Sequence, residues 1–62
     1  MKIKVGSIVK FTGPFVSSPT YMGEVFEVFE DGGVLFHDME QDEIIAVSRL
    51  DMEEGYFVVV SR

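Results

Sequence analysis

Asp31-Gly32 stands between two apolar runs, Met22 to Phe29 and Val34 to His37. No other stretch restricts the chain so tightly. A tight reversal needs positive φ, which Gly adopts freely and Asp tolerates, and apolar flanks turn that reversal into a hairpin. Glu30-Asp31-Gly32-Gly33 therefore predicts a turn joining two antiparallel strands. The first of those runs carries Val25, Phe26, Val28 and Phe29, so apolar residues fall at both parities. Either both faces of this strand are partly covered, or a bulge shifts its phase.

The rest of the chain reads the same way. Its apolar residues are mostly Val, Ile, Phe and Tyr, which suit a pleated, half-buried surface. Ile3 and Val5 alternate with Lys2 and Lys4, Gly6-Ser7 interrupts, and Ile8-Val9-Lys10-Phe11 resumes. Ile3 to Phe11 is thus one bent strand or two short ones. Thr12 to Thr20 holds Gly13, Pro14, Pro19 and Ser17-Ser18, and reads as the longest loop. Residues 39–54 admit two readings. One is a helix capped by Asp38, with Gln41 at the capping-box position and Gly55 as its stop. The other is a loop, a strand Glu43–Val47 and one helical turn at Ser48–Met52. The β-branched cluster Ile44-Ile45 with Val47, and the acids Glu53-Glu54 where a helix prefers cations, favour the strand and turn. Tyr56 to Val60 is the last strand. Five short strands separated by turns predict an all-β fold, a small closed or half-closed barrel with one short helical turn before its last strand.

This order of elements resembles the SH3-like barrels, which have five short strands, a long first loop, a tight central hairpin and a single helical turn before the last strand. The matching pieces are Gly13–Thr20, Glu30–Gly33 and Ser48–Met52. Val5-Gly6-Ser7-Ile8-Val9-Lys10 also looks like the opening strand of KOW-type bacterial barrels. The chain lacks the Ala-Leu-Tyr-Asp-Tyr run and the tryptophan of signalling SH3 domains, and the basic residues of a nucleic-acid-binding KOW module. The resemblance implies a fold and carries over no binding residues.

Size and charge bound the function. Residues 1–62 form a single domain. A domain of this size buries only about 60% of its unfolded surface and usually needs a staple. There is no cysteine, which removes disulfides and thiolate metal sites and leaves packing or self-association. A homodimer is the expectation. Residues 1–23 carry three lysines and no acid, whereas residues 24–62 carry all eleven acids against Arg49 and Arg62. The net charge of −6 disfavours direct binding to nucleic acid or to anionic membrane. No leader or membrane span is visible, since the longest purely apolar run is Tyr56 to Val60. A cytoplasmic location is expected.

Little in the chain points to catalysis. His37 is the only histidine, and no serine sits in a nucleophile elbow. Its expected role is an ordinary strand residue with a water or backbone partner. Asp38, Glu40 and Asp42 match the first half of a calcium loop, but Glu43 and Arg49 occupy the positions that need Gly and a bidentate Glu. No enzyme activity, metal or cofactor is expected. The best functional candidate is the loop 13–21, which offers Phe15 and Tyr21 as aromatic anchors for another protein. The competing reading has both rings folded back to plug a small core. Glu40, Asp42 and Glu43 supply an acidic second part to a partner-binding surface. A different class of function is an acidic mimic of nucleic acid that blocks a DNA- or RNA-binding protein. That would need Glu24, Glu27, Glu30, Asp31, Asp38, Glu40, Asp42 and Glu43 on one face. Lys2 and Lys4 are expected to pair with Glu24, Glu27 or Glu30 across strands, or with a second copy.

Overall fold

The structure, a computed structural model, describes residues 3–61. The elements are β1 (Ile8–Thr12), β2 (Thr20–Val28), β3 (Val34–Asp38), β4 (Glu43–Val47), α1 (Arg49–Glu54) and β5 (Tyr56–Ser61). They form one sheet in the order β4-β3-β2-β1-β5, with every neighbouring pair antiparallel. The first four strands are a meander, and β5 returns to lie beside β1.

The expected hairpin joins β2 to β3. Val28 pairs with Val34, the Phe29 amide donates to the Gly33 carbonyl, and Gly32 sits at φ 97°. The mixed parity of β2 has its explanation in a register shift between Val25 and Glu27. Phe26 is the extra residue. It turns outward while Val25 stays fully buried. Such a bulge bends the strand and adds twist. At Gly23 the sheet closes up still further: the His37 carbonyl occupies the space a Cβ would fill, so only glycine fits.

Two expectations change. The first strand begins at Ile8, because the chain turns at Val5-Gly6, with Gly6 at φ 97°. Gly6 and Ser7 still hydrogen-bond to Val25, through the Gly6 amide to the Val25 carbonyl and the Val25 amide to the Ser7 carbonyl. Lys4 is therefore on a turn, and no ion pair joins it to Glu24, Glu27 or Glu30; Lys2 lies outside the described residues. The second change concerns closure. Among the described residues no pairing joins β4 to β5, so the sheet is open rather than a closed barrel. Closing a five-stranded sheet demands a consistent tilt and stagger of every strand. Here the chain crosses from β4 to β5 through α1, which packs against β5.

Residues 39–54 follow the strand-and-turn reading. The helix runs past the expected Ser48–Met52 turn to Glu54. Its start is a capping box: Ser48 Oγ accepts from the Asp51 amide, and the Asp51 carboxylate accepts from the Ser48 amide. A cap of this kind contributes about 1 kcal/mol. The two acids at its exposed end cost about 0.3–1 kcal/mol each, and the cap together with the Arg49–Glu53 pair one turn apart offsets them.

The inner face carries the core. Val9, Val25, Val34, Phe36 and Val47 are buried, and Ile3, Phe11, Tyr21, Ile45, Met52, Phe57 and Val59 pack against them. Phe11 and Phe57, side by side on β1 and β5, stack tilted at 52° with centroids 6.3 Å apart. That tilted geometry suits the aromatic quadrupole.

Candidate functional site

The meander delivers two loops to the same end of the sheet. Residues 13–19 connect β1 to β2, whose last pair there is Thr12 with Thr20. Residues 39–42 connect β3 to β4, whose last pair is Asp38 with Glu43. The two ends are adjacent, because Gly23 pairs with Asp38 and the Met39 amide donates to the Met22 carbonyl.

Local hydrogen bonds shape each loop. In the first, the Phe15 amide donates to Ser18 Oγ, the Ser18 amide donates back to the Phe15 carbonyl, and the Thr12 and Thr20 hydroxyls join at its base. This small knot leaves Phe15 73% exposed and Val16 fully so. In the second, the Asp38 side chain is buried, and its Oδ1 accepts from the amides of Glu40 and Gln41 at 2.9 and 2.8 Å. Asp38 does cap something, but the capped element is a four-residue turn rather than a helix. Asp42, in the left-handed region at φ 55°, reaches back so that Oδ1 lies 2.5 Å from His37 Nε2.

The sequence-predicted residues divide accordingly. Phe15, Glu40, Asp42 and Glu43 are exposed at this end of the sheet. Tyr21 is not with them. It belongs to β2 and is half-buried against the core. The loop is thus split between the two readings: Tyr21 plugs the core and Phe15 does not. Asp38, part of the acidic face imagined for mimicry, is withdrawn from the surface altogether. His37 has a side-chain partner, Asp42, where water or backbone was expected.

Two further residues belong to the site and escaped the sequence reading. On the outer face, Lys10, Thr20, Met22, Met39 and Glu40 line a shallow depression between β1, β2 and the acidic loop. Met22 and Met39 are each about half exposed. Methionine is flexible and polarisable, and it recurs on surfaces that adapt to varied partners. The sign that could have found them was available: Met22 alternates with buried neighbours, and Met39 is the one apolar residue inside the acidic run.

The depression therefore combines an apolar floor with one acid and one lysine on its walls. It suits contact with a side chain that is apolar along its length and charged at its tip. Among the described residues, no three His, Asp or Glu side chains converge as a metal site. Among the same residues no helix is long and apolar enough to cross a membrane. Comparison with known proteins finds no matching family model, curated protein or solved structure.

Proposed function

We propose that this chain is a small, non-catalytic, cytoplasmic protein-binding module of SH3-like architecture, and that it binds through the loop end of its sheet. Phe15 is the anchor, Met22 and Met39 the adaptable floor, and Glu40, Asp42 and Glu43 the polar rim. The observation that carries this reading is Phe15: a large ring held 73% exposed on a loop that its own hydrogen bonds keep in shape. A core so short of apolar area has every reason to recruit that ring, and its absence from the core supports a use outside it. The acids on the rim favour a partner segment bearing Lys or Arg, and net charge turns the module away from nucleic acid and anionic lipid.

The test is capture of a partner at low salt, followed by affinity measurement with variants. Phe15→Ala should weaken the complex by about 1–2 kcal/mol or more, the range for interface anchors. Charge reversal at Glu40 and Asp42 should slow association and leave most of the affinity intact. The opposite pattern would defeat the proposal and support nucleic-acid mimicry: binding indifferent to Phe15, abolished by the charge reversals, and gone in high salt.

A further inference from the structure

The sheet has two uncovered edges, and they are built differently. The free edge of β4 starts with Glu43, directly after Asp42, charges of the sort that keep edges from pairing. The free edge of β5 has no such charges, and its one irregularity is Val60, an extra residue where Val9 pairs with Val59 and Ile8 with Ser61. Its sequence, Tyr-Phe-Val-Val-Val-Ser, contains no charge and no proline. Tyr56 is 77% exposed, and Val58 and Val60 are about half exposed, all three on the outer face.

The hydrogen-bond groups of that edge follow from alternation along the ladder. The Val25 amide donates to the Ser7 carbonyl, and the Met22 carbonyl accepts from Met39 on the other side of β2. The odd residues of β1 therefore face β2, and its even residues face β5. Lys10 and Thr12 pair with Val58 and Tyr56. So Phe57 and Val59 direct their amides and carbonyls away from the sheet, and among the described residues no strand receives them.

We propose that this edge pairs antiparallel with the same edge of a second copy, across a two-fold axis at Val58, giving one continuous sheet through both molecules. In this register Phe57 and Val59 exchange main-chain bonds with Val59 and Phe57 of the second copy. Val58 meets Val58, and Tyr56 meets Val60. Three exposed apolar side chains from each copy then make one patch.

Charge decides why the occupant is a second copy and why it docks here. Two bodies of −6 repel over most of their surfaces. The acids of β2, the hairpin, the 39–42 loop and β4 lie on the far side of β1 from this edge. From β5 to β2, the nearest of these, is two strand spacings, roughly 10 Å at about 4.8 Å each, already beyond a screening length of about 8 Å at physiological salt. The nearer acids are Asp51, Glu53 and Glu54 of α1. The edge thus brings together two uncharged strands of an acidic molecule.

The purified protein alone tests this, so the result is independent of the loop-end partner. Sedimentation equilibrium should give a dimer with a micromolar dissociation constant. Val58→Lys sets two ammonium groups face to face on the axis and should weaken dimerisation about tenfold or more. Ile44→Lys, on the exposed face of β4, should leave it unchanged. In a mixture of labelled and unlabelled protein, filtered nuclear Overhauser effects should connect Phe57 with Val59 between copies, a readout that survives even if Val58→Lys fails to fold. A folded monomer at several hundred micromolar would overturn the proposal. So would a dimer that Ile44→Lys disrupts and Val58→Lys does not.

Discussion

Replacing Phe15 with alanine separates the two uses of an aromatic residue in a small domain. A fully buried aromatic side chain removes about 150–250 Å² from water. Phe15 is 73% exposed, which leaves about a quarter of that buried. Roughly 40–70 Å² at about 25 cal/mol per Å² is about 1–1.7 kcal/mol. Residual compactness of the unfolded chain trims such figures by roughly 10–40%, to about 1 kcal/mol. Phe36, fully buried, is the contrast, and its truncation should cost about 3–5 kcal/mol. Tyr21, half-buried against the same core, should fall between them at roughly 2 kcal/mol. A domain of this length has a total stability on the order of 3–9 kcal/mol. Phe15→Ala should therefore remain folded with a melting temperature about 4–8 °C lower, whereas Phe36→Ala should sit near the unfolding threshold. Urea titration with a shared slope for the three variants gives the comparison. A loss of about 3 kcal/mol or more at Phe15 would mean that the ring belongs to the core, and the binding proposal would lose its main support.

Two further outcomes test how the site is positioned. Gly23→Ala would drive a Cβ into the His37 carbonyl, so the two strands must part; a destabilisation of about 1–3 kcal/mol is expected, and unchanged urea unfolding would refute the close approach. Asp38→Ala should cost about 1–3 kcal/mol by stranding the amides of Glu40 and Gln41. Asp38→Asn keeps the accepting oxygen and should cost less than half as much. Amide exchange at residues 40 and 41 should be fast in the alanine variant only, and equal exchange in both would show that Asp38 does not hold the turn.

The strands were legible wherever a local rule acts alone. Asp31-Gly32 specified the hairpin because Gly32 takes the positive φ it needs and the Asp31 side chain accepts from the Gly33 amide. The mixed parity around Phe26 left open a bulge or two partly covered faces, and the register shift between Val25 and Glu27 decides for the bulge. Ile44, Ile45 and Val47 outvoted the helical signals around Asp38, and Asp38 served its capping chemistry on a turn. What failed were judgements of distance between elements. Gly6 could be read as a bend, but whether Ile3 continued the strand depended on where Val25 lay in three dimensions. Closure of the barrel likewise depends on accumulated twist and stagger, which no short window of sequence contains.

The site was less legible for the same reason, and Asp38 illustrates it. The four acids between Asp38 and Glu43 look alike as a charge run, and treating them alike led to a common acidic face. Burial divides them. Asp38 turns inward and holds two amides, Asp42 bends back to His37, and Glu40 is left beside Met22 and Met39. A buried carboxylate is tolerable only with donors supplied, so the acid that organises the loop is the one least able to meet a partner. The same division separates Tyr21 from Phe15, six positions apart on what read as one loop. In each pair one member builds the scaffold and the other stays at the surface. The surface that remains, Phe15 with Met22, Met39 and Glu40, draws on three separate segments of the chain, so only the sheet's order could assemble it.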